Sequence, residues 1–196
     1  MLSHWGRTDT PKILMDFQPT EIPDVVVIRP RVFEDGRGYF LETWEQRKFA
    51  AGGIGVPFVQ DNQSRSVKHV LRGLHYQVSQ PQGKLVRVVT GSIFDVAVDM
   101  RRSSPTFGRW VGAELSEQNH QLLWVPPGFA HGFVVLSDIA DVIYKCTDFY
   151  APAQERAVRW NDASVNVRWP LPAGAEPIVS SKDAAAPSFG DAECFP

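Results

Sequence analysis

The rhythm of its turn residues is what most limits the shape this chain can take. Gly, Pro, Asn and Asp recur through its 196 residues, and short runs of alternating apolar and polar side chains lie between them. A period of two sends successive side chains to opposite faces of an extended backbone, the pattern of a half-buried strand. Such runs cover residues 24–29, 38–43, 58–60, 71–77, 84–89, 92–100, 110–115, 121–125, 132–136, 142–149, 157–160 and 165–169. Helical spacing appears only over 45–51, closed by Gly52 and Gly53, and as a weaker turn over 116–120. Many short strands with little helix predict a mainly β chain folded as a sandwich or barrel. Hydrophobic residues make up 43% of the chain, enough to fill one core, so a single domain is expected. Residues 171–196, rich in Pro, Ala, Gly and Ser, are expected to be irregular while still able to cross the body of that domain.

Charge and apolar runs narrow the function. A formal net charge of -2 with no dense Lys/Arg block gives no field that would hold a nucleic-acid backbone. Runs such as Val25 to Ile28 and Phe133 to Leu136 are too short to span a bilayer. The first twenty residues mix His4, Arg7, Asp9, Lys12 and Asp16 without an apolar stretch, unlike a secretory signal, so a cytoplasmic protein is expected. The two cysteines, Cys146 and Cys194, show no metal-binding or redox spacing and read as one core thiol and one tail thiol.

One segment resolves by face. If Thr90 and Gly91 form a two-residue turn, Lys84, Val86 and Val88 share a face with Ile93, Asp95, Ala97 and Asp99. Leu85, Val89, Phe94, Val96 and Val98 take the other face, which is apolar apart from Arg87. Lys84 and Asp95 then either line a cavity or stand on a solvated face, and a one-residue change of register reverses the assignment.

His75 and His131 are embedded among apolar and aromatic neighbours, where an imidazole needs a partner to orient or tune it. Each read singly is either a core histidine or a functional one. Arg72 and Lys84 lie near His75 in sequence, and cations inside a barrel are costly unless a ligand or carboxylate answers them. Arg72 and His75 are three residues apart, so a regular strand would point them to opposite faces. Gly73 between them can host a bulge, which should be visible if both serve one site. A metal-binding barrel commonly offers His-x-His, whereas this chain has His75-Tyr76-Gln77, so a metal needs a rearranged ligand set. Tyr144 and Tyr150 fall on one face if the chain from 142 onward stays extended, roughly 20 Å apart, at opposite ends of a long ligand or on a wet rim. Gln60 and Asn62 share one side of their strand and either face a ligand or satisfy turn backbone.

At these residues the sequence resembles the dTDP-4-dehydrorhamnose 3,5-epimerase family. The resemblance rests on Asp-Gly-Arg-Gly-Tyr-Phe at 35–40, on 58–64 and 71–77, on Gln-Gly-Lys-Leu-Val-Arg at 82–87, and on 94–99, 104–108, 128–133 and 160–162. It runs in order from about Pro23 to Pro196. It implies a cupin-like jelly roll of two antiparallel sheets with a few short helices, in one domain over 22–196 behind an N-terminal extension over 1–21, with Met15 as an alternative start. It further implies a homodimer that exchanges an N-terminal strand, with no metal and no cofactor. The implied reaction is epimerisation at C3 and C5 of dTDP-4-dehydro-6-deoxy-D-glucose to dTDP-4-dehydro-L-rhamnose. A relative acting at C3 or C5 alone would carry nearly the same motifs; a metal-dependent cupin oxygenase and a non-catalytic sugar-nucleotide binder are the readings from other classes. By this resemblance His75 is the general base, Asp183 its orienting carboxylate, Tyr144 the general acid and Lys84 the cation at the ketone oxygen. Arg37, Gln60, Asn62, Arg72, His131, Tyr150 and Glu155 match positions that hold the diphosphate, nucleoside or sugar, and Glu42 a residue reaching across the dimer. Tyr39 stands where the family often has Phe.

Overall fold

Strand after strand forms where the alternation lies, and the strands sort into two facing antiparallel sheets. The computed structural model describes residues 15–196. One sheet has the order β1 (Met15–Pro19), β2 (Val26–Pro30), β10 (Leu122–Val125), β7 (Lys84–Thr90), β12 (Ile139–Cys146), β5 (Gln60–Val67). The other runs β13 (Glu155–Ala157), β6 (Leu71–Gln77), β11 (Phe129–Val135), β8 (Ser92–Asp99), β9 (Trp110–Ser116). A separate hairpin pairs β3 (Val32–Asp35) with β4 (Gly38–Leu41). The mainly β jelly-roll class expected from the sequence is the class observed.

Three apolar layers hold the sheets. Val86, Val88, Val125 and Val142 from the first sheet meet Ile93, Ala97, Phe129 and Phe133 from the second in the central core. Behind the second sheet, Leu74, Tyr76, Val96 and Val98 are covered by Val165, Ala192, Phe189 and Phe195 of the C-terminal tail. Behind the first, Leu85, Leu122 and Trp124 are covered by Met15, Phe17 and Phe49. Burying one such aliphatic or aromatic side chain is worth about 1.5–3 kcal/mol. Phe49 belongs to α1 (Gln46–Ala51), where the Glu45 side chain accepts from Lys48 N, Gly52 N–H donates to the Lys48 carbonyl and Gly53 N–H to that of Ala50, close to the expected helix.

Several expectations need correction. Thr90 and Gly91 do not close a hairpin, because β7 and β8 belong to different sheets and Gly91 turns the chain from one to the other. Gly91 has φ +75°, and a Cβ there would lie 2.0 Å from the Ile139 carbonyl oxygen. The division of faces survives, with Val86, Val88, Ile93 and Ala97 inside and Leu85, Val96 and Val98 outside. Residues 165–169 form no strand; Val165, Val167 and Trp169 cover the second sheet without joining it. Ser116 ends β9 and residues 117–119 form a turn, without a helical segment. Met15–Pro19, expected within the extension, is an edge strand paired to β2 of the same chain. Residues 1–14, with the expectations that fall on them, lie outside the described residues.

Candidate active site

A cavity of about 640 Å³ opens between the sheets, walled by β5, β12 and the start of β7 on one side, and by β6, β11, β13 and tail residues 178–183 on the other. Lys84, Tyr144, Arg72, His75, His131, Gln60, Asn62, Tyr150, Glu155 and Asp183 all line it.

Arg72 and His75 both reach the cavity because β6 is bulged between them. His131 pairs with His75 and Phe133 with Arg72, so three residue steps of β6 oppose two of β11. Gly73 carries this irregularity at φ +136°, and a Cβ there would lie 2.6 Å from Gly132 Cα. Two glycines in contact therefore permit the bulge, as the sequence parity required.

His75 Nε2 lies 2.6 Å from Asp183 Oδ1. Asp183 sits in the short α2 (Ser181–Ala184), whose N-cap Ser180 Oγ accepts from Asp183 N at 3.1 Å. Burial by itself would raise the Asp183 carboxyl, but the hydrogen bond and charge of His75, with help from Ser180 and Gly73, hold it below the ordinary carboxylate range. An ionised Asp183 makes Nε2 the protonated nitrogen of a neutral ring and leaves Nδ1 with its lone pair.

Lys84 is buried at 7% exposure. No carboxylate among the described residues lies within ion-pairing distance of it. Burial lowers its pKa against weaker upward pulls from Cys146, Asp95 and Glu155. Tyr144 stands opposite Asn62 on β5 and Val86 on β7, with its ring against the central core. Burial pushes its phenol up, so the group carries its proton at neutral pH.

The remaining groups form the rim and the deep wall. His131 Nε2 lies 2.7 Å from Asp95 Oδ1, and Asp95 is wholly buried. Arg72 Nε donates to Ser66 Oγ at 3.0 Å. Gln60 Nε2 donates to Asn62 Oδ1 at 3.1 Å, and Gln60 Oε1 accepts from Tyr150 N at 2.9 Å. Tyr150 OH donates to Glu155 Oε2 at 2.9 Å, and Lys182 Nζ donates to the same oxygen at 2.5 Å. The expected single strand joining Tyr144 to Tyr150 is corrected: β12 ends at Cys146, and Tyr150 arrives from the following loop.

Two expected site residues are not brought to this cavity within one chain. Arg37, in the β3–β4 turn, is 90% exposed and pairs with Asp35 at 2.6 Å. Glu42 pairs with Lys48 at 2.6 Å. Sequence reasoning missed Lys182, whose only signal was adjacency to Asp183, and left Asp95 without its partner. Among the described residues no group of three His, Cys, Asp or Glu side chains could hold a metal ion, and no helix is long and apolar enough to cross a membrane.

Comparison with known proteins bears on this geometry. Residues 19–191 match the sequence model of a family described as dTDP-4-dehydrorhamnose 3,5-epimerase. The chain is 57% identical over 176 residues to the dTDP-4-dehydrorhamnose 3,5-epimerase of Pseudomonas aeruginosa, covering 89% of this chain and 96% of that one. It superposes with TM-score 0.87 and 49% identity on the crystal structure of dTDP-6-deoxy-D-glucose-3,5-epimerase from Legionella pneumophila in complex with dTDP-4-keto-L-rhamnose, covering 90% and 94% of the two chains. A 3'-monoepimerase from Streptomyces bikiniensis in complex with dTDP-quinovose is more distant, at TM-score 0.82 and 32% identity over 88% and 87%.

Proposed function

Since this chain belongs to the dTDP-4-dehydrorhamnose 3,5-epimerase family, we propose that its cavity binds dTDP-4-dehydro-6-deoxy-D-glucose and inverts C3 and C5 to give dTDP-4-dehydro-L-rhamnose. The observation that carries this reading is Lys84, a buried cation without a carboxylate partner, in the same cavity as an imidazole–carboxylate pair and a protonated phenol. Hydrogens on carbons flanking a ketone become acidic when charge on the carbonyl oxygen is stabilised. The Lys84 ammonium supplies that stabilisation, an effect worth about 3 kcal/mol per donor in comparable sites. Nδ1 of His75 removes the proton, and Asp183 stabilises the imidazolium that results. Tyr144 returns a proton to the opposite face of the same carbon. The ketone itself acidifies both carbons, so proton transfer alone accounts for the reaction.

Arg72, with Gln60, Asn62 and His131, serves the diphosphate and sugar, while Tyr150 and Glu155 take the nucleoside at the rim. Arg37 and Glu42 act from a second copy of the chain in a homodimer. Support comes from the β3–β4 hairpin, which carries Arg37 away from its own cavity with Phe33, Tyr39 and Phe40 exposed. The enzyme works in the cytoplasm, a compartment its free Cys146 and Cys194 suit.

Incubation with the keto-sugar nucleotide in deuterated water, followed by NMR, tests the reaction. Deuterium should enter at both C3 and C5 with inversion. Label at one carbon would make the protein a single-site epimerase, and no label would overturn the reading. Greater identity to the Pseudomonas 3,5-epimerase than to the Streptomyces monoepimerase favours two labels.

A further inference from the structure

The cavity-side positions of β5 are polar along its whole length. Gln60, Asn62, Ser64 and Ser66 alternate there, paired in register with Cys146, Tyr144, Val142 and Ala140 of β12. Three of these four have partners within the protein: Gln60 and Asn62 bond each other, and Ser66 Oγ accepts from Arg72. Ser64 also lines the cavity, yet its hydroxyl is buried with no hydrogen-bond partner among the described residues. A buried hydroxyl left unsatisfied weakens a fold, and beside the apolar Val142 an alanine would pack as well without that cost.

We infer that Ser64 Oγ hydrogen-bonds an oxygen of the bound hexose and so reads the sugar, not the nucleotide. Position argues for the sugar. Ser64 is one register step beyond Asn62, the residue opposite Tyr144, and lies on the side of Ser66 and Arg72. The nucleoside-side groups gather at the other end of the strand, where Gln60 holds the backbone of Tyr150. Rotation about Cα–Cβ swings a serine hydroxyl among three staggered positions, and the group both donates and accepts, which suits a sugar hydroxyl or carbonyl. The inference rests on the keto-sugar reading above and adds to it a residue that discriminates the hexose.

Ser64→Ala tests it through two readouts. In the unliganded protein, loss of an unsatisfied hydroxyl should raise Tm by about 2–4 °C. In kinetics, kcat/KM for the dTDP-4-keto-6-deoxyhexose should fall about tenfold, while the inhibition constant of dTDP alone stays within about twofold. Unchanged kcat/KM, a parallel loss of dTDP affinity, or a fall in Tm would overturn the inference, since each means that the hydroxyl serves something other than the sugar. A wild-type protein that turned over no keto-sugar nucleotide would instead overturn the functional reading itself.

Discussion

Two histidine–aspartate pairs stand side by side in this barrel, on strands in direct register, and they differ in nearly everything except their bond length. His75 and Asp183 meet at 2.6 Å, His131 and Asp95 at 2.7 Å. The His75 side chain is 31% exposed, that of His131 only 8%. Asp183 comes from the tail far along the chain, whereas Asp95 lies on β8, the strand next to His131. The same dyad thus serves two ends. An open imidazole whose carboxylate is delivered from outside the sheet can take up a proton and pass it on, while a buried pair within one sheet is fixed in place.

The largest effect that would sharpen this contrast is at the open ring. His75→Ala should lower turnover by about 10²–10⁴-fold and abolish deuterium exchange at the sugar, whereas Tyr144→Phe should retain some exchange and lose inversion. Full turnover in His75→Ala would assign the base elsewhere. Next in size is Asp183→Asn, which should slow turnover roughly 10–100-fold, as loss of an orienting carboxylate does at other imidazoles. Its effect on stability has a definite sign. The Asp183 carboxyl is held below its ordinary value of 3.8, so its contribution is complete above that value and is lost as pH falls through the lowered one. The Tm gap between wild type and Asp183→Asn should therefore be full at neutral pH and close below about pH 4. The smallest effect on rate should come from the buried pair. Asp95→Ala leaves His131 unpaired and should cost about 1–3 kcal/mol of stability, read as a calorimetric Tm drop of roughly 2–4 °C per kcal/mol. Were Asp95→Ala to slow turnover more than Asp183→Asn, the two pairs would have to exchange roles.

Much of this was legible in the residues, for reasons that also explain the gaps. The expected strand over 71–77 has its observed bounds, because Gly73 and the apolar alternation mark both the strand and its bulge. Alternation along β7 and β8 predicts their faces but not their pairing. A period of two reports which side of a strand is buried and says nothing about which sheet it joins. Gln60 and Asn62 fall on one side of their strand as expected, but apolar alternation marks only 58–60, since Gln60 to Val67 has almost no apolar residue and its inward side faces a polar cavity. The segment 165–169 has the pattern of a strand without being one, because cover for a sheet needs the same apolar residues as membership in it. Within the site, Lys84, His75 and Tyr144 drew notice through local context. Asp183 came only from the family resemblance, for nothing in Ser180-Ser181-Lys182-Asp183 announces a partner so distant in sequence. The same limit applies to Arg37 and Glu42, whose own cavity lies elsewhere.

The delivery of Asp183 from beyond β13 also orders events in time. Every strand of both sheets precedes the tail in the chain, so all of them are synthesised before the carboxylate that meets His75. A molecule clipped after Ala157 would lose the tail wall of the cavity and the cover over Leu74, Tyr76, Val96 and Val98. Loss of the tail therefore takes away the partner of His75 and one of the three apolar layers in a single cut, so the two should fail together.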